Sequence, residues 1–303
     1  MVAVIFFFLG KMLWENWIQV KEASFAFEPF RFIGSTLLFS LCYFIQIGAW
    51  YLITVKLGIA LSFSETLKTW FSSQLGKYLP GKVWLLLSRF YFYESKGKSK
   101  KAISVALYFE TVTMVTAAAL LFWASLFLFR GADAYRLGRE SRGWALLFIP
   151  VFILLHPRIL EKLFNRVLRW LGKDPVVLSL SYRDVLWILF VCLVSWMAGG
   201  IGFYLFVDSV FPVPAGSVLY LMGALACSSV LGLIALFAPG GLGVREGVLV
   251  YLLTFTLPGS VAVVLSILTR LWMTLIEIGL IGVIYLIDRF QNGMRRKGFY
   301  GSL

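Results

Sequence analysis

The run Ala238-Pro239-Gly240-Gly241-Leu242-Gly243-Val244-Arg245-Glu246 lies between two long apolar stretches, where an unbroken membrane helix would otherwise stand. Proline cannot donate a helix hydrogen bond, and glycine makes irregular backbone cheap. In hydrocarbon such backbone survives only when it is buried in protein or lines a wet cavity. An adjacent cation and anion at that depth cost roughly 2.5–3.5 kcal/mol each on insertion scales. The stretch therefore predicts a broken helix that directs Arg245 and Glu246 into a pathway. The plainer alternative is a surface loop between two ordinary spans.

The rest of the chain supports a membrane setting. Of its 303 residues 60% are hydrophobic and only 14% charged, with a mean hydropathy of +0.86. A soluble protein of this length carries far more charge. Lys and Arg outnumber Asp and Glu by 28 to 15. In a membrane protein that excess points to positive-inside loops and anionic lipid heads, not to nucleic acid. Cys42, Cys192 and Cys227 all lie in apolar runs without CxxC spacing, so neither zinc nor a disulfide framework is suggested.

Apolar runs near twenty residues give the candidate spans. Phe32–Val55, Ala102–Phe129, Val185–Val207, Ser217–Phe237 and Val261–Ile287 are the clear ones. Met1–Trp14, without a basic leader, reads as a short first span, and Gly143–His156 as a short apolar run. Ser64–Leu79 stops at Pro80-Gly81 and resumes over Val83–Tyr93. Pro157–Gly172 predicts a surface helix, with Arg158, Lys162, Arg166 and Arg169 on one face and leucines, Phe164 and Val167 on the other. It suits an anionic cytoplasmic leaflet. The Lys96–Lys101 run, this helix and the tail at Arg289, Arg295, Arg296 and Lys297 all belong on the cytoplasmic side. The expected location is the cell membrane, multi-pass, with the C-terminus cytoplasmic.

The chain also repeats itself. Ser72-Ser73-Gln74-Leu75-Gly76 before Pro80-Gly81 resembles Ser228-Ser229-Val230-Leu231-Gly232 before Pro239-Gly240. Beyond each break a long span carries one charge, Glu110 in the first half and Arg270 in the second. If Phe32–Val55 runs inward, the first broken segment enters and leaves from the cytoplasmic side. The second, ending at the uncharged Pro258-Gly259-Ser260 turn, then enters and leaves from outside. The expected fold is an all-α polytopic membrane protein, a helical bundle of two inverted repeats, each containing a re-entrant hairpin. Repeat 1 covers about 32–129, a linker with the basic helix 143–173, and repeat 2 about 185–287. Inverted repeats meeting near the midplane are a transporter arrangement.

Taken together, Leu79-Pro80-Gly81 and the Pro239–Glu246 motif resemble the membrane region of lysylphosphatidylglycerol synthase/flippase-like proteins, over nearly the whole chain. The resemblance implies an α-helical bundle that moves lipids with charged heads between leaflets. Ending at Leu303, the chain is expected to lack the soluble aminoacyl-transfer domain of the fused members, which sets synthase activity aside.

Arginine suits a phosphate because its planar fork donates paired hydrogen bonds and stays ionised. Arg89, Arg245 and Arg270 are the head-group candidates, and Glu110, Glu246 and Glu277 are placed to hold them or to bind a cationic head. Permanent ion pairs that only fix packing are the alternative. Pro239, Gly240, Gly241 and Gly243 complete the candidate substrate site, with helix starts at Pro80-Gly81 and Gly241–Gly243 offering partial positive charge. Lys77 and Lys82 bracket the first break, where snorkelling explains them equally well. Trp70, Trp84 and Trp272 either line a lipid path or anchor and pack the bundle. Asp208 is expected to be only interfacial.

Gly76–Lys82 nearly fits a P-loop, but Val83 replaces the Mg²⁺-binding hydroxyl and no strand precedes it. One histidine, no HExxH and no clustered thiolates suggest no metal, cofactor or catalytic group. The expected function is a flippase for a phospholipid, aminoacyl-phospholipid or polyprenyl-linked intermediate; a homo-oligomer is compatible with it. The other classes are a membrane-embedded transferase or hydrolase acting on lipid heads, and a scaffold subunit of an envelope-glycan assembly.

Overall fold

The computed structural model describes residues 26–79, 83–128, 157–170, 180–235 and 238–300, with isolated positions at 11, 14 and 175. The expectations for Met1–Trp14, Pro80-Gly81, Lys82 and Gly143–His156 lie outside the described residues. All regular elements described are helices, and five are long and apolar enough to cross a membrane: Pro29–Lys56, Lys100–Leu128, Tyr182–Val210, Ala215–Ile234 and Gly259–Arg289. The protein is an all-α polytopic membrane protein.

Helix α1 (Pro29–Lys56) and α6 (Tyr182–Val210) form the most extensively packed pair. Small residues permit it. A Cβ on Gly202 would stand 3.1 Å from the Ser35 carbonyl oxygen, and one on Gly199 3.0 Å from Cys42 Sγ. Both helices start before their apolar runs, one at a helix-favouring proline and the other at a polar cap. Pro29 sits in the first turn of α1, and Ser181 with Asp184 forms a capping box on α6. Lys56 pairs with Asp184 at 2.7 Å at one end of the bundle. At the other, the Ala26 and Glu28 amides donate to the Val210 and Ser209 carbonyls at 3.1 and 2.8 Å. There Asp208 is not merely interfacial: it is buried, pairs with Arg31 at 2.9 Å and accepts from the Val213 amide at 3.1 Å. An acceptor at the end of α6 fixes the turn into the next helix.

Two helical hairpins pack around this pair. In the first, α2 (Phe63–Gln74) leads through a 3₁₀ turn (Leu75–Tyr78) to α3 (Val83–Ser95). Ser62 and Glu65 form a capping box on α2, and the Glu65 carboxylate also accepts from Lys96, just beyond α3, at 2.7 Å. Lys96 and the Ser62 hydroxyl hold the Glu65 carboxyl down at about 2. The hairpin is thereby tied at its open end. At its closed end a Cβ on Gly76 would lie 2.6 Å from the Leu85 amide nitrogen. Helix α4 (Lys100–Leu128) follows, and after the amphipathic α5 (Pro157–Trp170) the chain reaches α6.

In the second hairpin, a 3₁₀ turn (Ala215–Ser217) starts α7 (Val218–Ile234), the chain breaks at a 3₁₀ turn (Pro239–Gly241), and α8 (Val244–Leu253) returns. The Tyr220 hydroxyl donates to the Leu252 carbonyl at 2.8 Å, tying the open end. The ten residues of α8 rise about 15 Å, half of a bilayer core of about 30 Å. The final helix, α9 (Gly259–Tyr300), then crosses the whole bundle. The first hairpin opens toward the Lys56–Asp184 end and the second toward the Ala26–Val210 end. The two closing turns touch near the middle of the bundle.

Gly241 is the residue that lets the second hairpin close. Its φ is 74°, and a Cβ there would be 2.9 Å from the Gly232 carbonyl oxygen. Gly241→Ala is expected to lower stability by about 1–3 kcal/mol, the cost of a strained left-handed residue at a site that cannot move away. Gly247→Ala, in α8 with no atom within 4 Å of the added carbon, is the matched control. It should be neutral or stabilising by up to about 1 kcal/mol. Thermal unfolding of the detergent-solubilised variants decides this; equal midpoints would remove the argument.

Candidate functional site

Apart from Asp208 with Arg31, the buried charges among the described residues lie in three ionic contacts. In the first hairpin, Arg89 is 2% exposed, and its Nε donates to Ser73 Oγ at 2.9 Å and its Nη1 to Glu110 Oε2 at 2.5 Å. The guanidinium carbon lies 4.9 Å from the centroid of the Trp50 ring and 5.5 Å from that of Trp70. Trp70 Nε1 donates to the second Glu110 oxygen at 3.1 Å. Aromatic faces and a carboxylate together make a buried guanidinium tolerable.

The second contact is at the break. Arg270 of α9 donates from Nη2 to the Gly240 carbonyl at 2.8 Å, and its Nε stands 3.7 Å from Glu246 Oε1. At that distance the two attract as an ion pair without a hydrogen bond. The other Glu246 oxygen accepts from the Gly243 amide at 2.7 Å. Glu246 thus sits at the third position of α8 and caps it. The sequence suggested a helix start open to an anion; a residue of the same motif already occupies it. The Glu246 carbonyl accepts from Ser266 Oγ at 3.1 Å, fastening α8 to α9.

The third contact joins the two halves. Lys77, on the first 3₁₀ turn, reaches across to Glu277 of α9 and donates to Oε2 at 2.5 Å. The Glu277 side chain is 2% exposed and that of Lys77 24%.

Between the two hairpins, and bounded also by α1, α6 and α9, lies a cavity of about 160 Å³ whose polar lining includes Gln74, Lys77, Ser229, Arg245, Arg270 and Glu277. That is room for several waters. Ser229 Oγ is buried there with no hydrogen-bond partner. Arg245 crosses toward α9, with Nη2 2.8 Å from Met273 Sδ. On the other side of the Phe39–Trp272 ring contact (4.8 Å between centroids) is an apolar groove of about 770 Å³ between α1, α6 and α9. Phe27, Phe32, Phe206, Leu268 and Trp272 line it, and Trp272 Nε1 donates to Thr36 Oγ1 at 3.2 Å.

The structure sorts the sequence candidates. Arg245, Arg270 and Glu277 share one cavity, and Glu246 and Gly240 hold Arg270 beside it. Gly241 and Gly243 shape the turn, whose first residue is Pro239. Arg89 and Glu110 stand apart as their own pair, outside the residues that line the cavity. Of the tryptophans, Trp272 borders the groove, Trp70 packs on Arg89, and Trp84 is half exposed. Sequence reasoning left Lys77 undecided, had Ser229 only as a group near the break, and missed Gln74 and Gln46. Gln74 fills the variable position of the first Ser-Ser-x-Leu-Gly motif, and Ser229 is the second serine of the other copy.

Comparison with curated proteins and with solved structures gives no match. A family model described as the lysylphosphatidylglycerol synthase TM region matches residues 1–282, and the chain belongs to that family.

Proposed function

We propose that the protein is a lipid transporter that moves a phosphate-bearing lipid between leaflets, with the head in the polar cavity and the hydrocarbon tails outside it. One observation carries this reading: Lys77, Arg245 and Arg270 converge with an unpartnered hydroxyl, Ser229, on a cavity between the two hairpins. Arginine forks and a hydroxyl donor are the groups that bind phosphate oxygens. The neighbouring apolar groove has the chemistry of a tail path, and membership of a lipid-related membrane family agrees with it.

The two hairpins are the elements that exchange access. Each ends its shared motif in a glycine, Gly76 or Gly232, that meets backbone nine residues further on, at Leu85 and Gly241. They open toward opposite ends of the bundle, the relation expected of inverted repeats. The Lys96 end is cytoplasmic, by the positive-inside rule. No reaction is assigned to the cavity.

The test is a leaflet-protection assay. Purified protein is reconstituted into vesicles that contain a tail-labelled phospholipid, and an impermeant quencher is added outside. With the protein, quenching should proceed beyond the outer-leaflet fraction, and Arg270→Gln should return it to that fraction. Quenching no deeper than in protein-free vesicles would end the transport reading.

A further inference from the structure

Three side-chain contacts between the first hairpin and α9 follow one line. Lys77 meets Glu277 at the cavity, Ser72 Oγ lies 3.0 Å from the Tyr285 hydroxyl, and Lys68 pairs with Asp288. On α9 the three partners share a face, since Tyr285 and Asp288 fall within about 80° of Glu277 around the helix. From Glu277 to Asp288 the helix rises about 16 Å, half of a bilayer core of about 30 Å. With the Lys96 end cytoplasmic, the line runs from the cavity to the cytoplasmic edge of the membrane. It is not sealed. Tyr285 is 56% exposed, and Lys68, Ser72 and Asp288 are partly exposed. Beside them on α9, Val283, Leu286 and Ile287 are exposed and apolar, as a surface against lipid tails should be.

We propose, on the transport reading above, that this seam is a polar furrow along which the phosphate-bearing head of a lipid passes between the cavity and the cytoplasmic leaflet. The tails stay in the bilayer beside it. Polar groups turned toward hydrocarbon are costly unless a polar partner meets them, and a lipid head is such a partner. The Ser72 and Tyr285 hydroxyls exchange their mutual hydrogen bond for bonds to phosphate oxygens. Lys68 receives the head at the outer mouth through a charge-assisted bond. At the inner end the Lys77–Glu277 contact parts to admit the head, because both residues line the cavity. A ladder that only held the hairpin against α9 would give the same three contacts but would take up no head.

A bimane fluorophore attached to Ser72→Cys or to Val283→Cys tests this. Val283 is exposed on the helix that carries Tyr285, two residues and about 200° away, so it matches the depth but not the face. Wild type, whose cysteines are buried or half-buried, is the labelling blank. In vesicles, quenching by a phosphatidylcholine with a nitroxide on its head is divided by quenching by one with the nitroxide midway along a tail. The ratio should be about threefold higher at position 72 than at position 283. In the leaflet assay the attached label should slow lipid movement about tenfold at position 72 and leave it nearly unchanged at position 283. The label is added after folding, so failure to fold does not enter. Equal quenching ratios, or lipid movement that a label at position 72 does not slow, would overturn the furrow while transport stands. If wild type moves no lipid, transport fails, and the quenching comparison alone decides: a higher ratio at position 72 supports a head-group site in the furrow, and equal ratios overturn it.

Discussion

Glu246→Ala should destabilise the protein by about 3–5 kcal/mol and abolish lipid movement, the largest effect expected of any single change at the break. Two losses coincide there. The carboxylate caps α8 through the Gly243 amide, a contribution of about 1 kcal/mol. It also faces Arg270, which is only 4% exposed and would be left buried without its counter-charge. Glu246→Gln separates the two. Its amide oxygen can still accept from Gly243, but it cannot neutralise Arg270. The expected order of thermal midpoints in detergent is wild type, then Gln, then Ala, with transport lost in both variants. Transport at the wild-type rate in Glu246→Gln would show that the charge of Glu246 has no part in the site.

The pair Arg89–Glu110 should behave differently. Glu110→Leu alone leaves a 2% exposed guanidinium with Ser73 and two indole faces, and should cost about 3–5 kcal/mol. The double variant Arg89→Met with Glu110→Leu should recover most of that loss, because apolar residues of similar volume often replace a buried ion pair at no net cost. It should also retain lipid movement, since neither residue lines the cavity. A double-mutant cycle on unfolding midpoints, with the leaflet assay run on each variant, measures both. A double variant as stable as wild type yet unable to move lipid would place this pair in the transport pathway, against the arrangement described above.

Much of the architecture was legible because hydrocarbon leaves the backbone few choices. Helix is the structure that satisfies every backbone group within one segment. Runs such as Phe32–Val55 and Val185–Val207 therefore announced α1 and α6, short by one to three residues at their ends, where polar or helix-favouring residues outside the apolar run extend the helix. The glycines of Ala198-Gly199-Gly200-Ile201-Gly202 likewise announced a close helix contact, which α1 supplies. Asp208 was misjudged because nothing in hydropathy shows that a span-end carboxylate has a partner, Arg31, nearly two hundred positions away.

The candidate site was legible in kind but not in grouping. Charges set among apolar residues declare themselves in one dimension, so Arg89, Glu110, Arg245, Glu246, Arg270 and Glu277 all stood out. Which cation meets which carboxylate did not. Arg270 and Glu277 are seven apart on one helix and so share a face, but their partners come from α8 and from the first 3₁₀ turn. Lys77 shows the difference most sharply. Beside Pro80 it reads equally as a side chain reaching for the interface, and only the approach of the first hairpin to α9 makes it the partner of Glu277, 200 positions away in sequence. By itself, then, the sequence determined the helical membrane fold, the break at Pro239–Gly243 and the list of costly charges, because each follows from the local expense of polar groups in hydrocarbon. The tertiary structure alone decided that Arg89 and Glu110 close on each other while Lys77, Arg245, Arg270 and Glu277 share a cavity, because ion pairing depends on distance through space, which the order of residues does not encode.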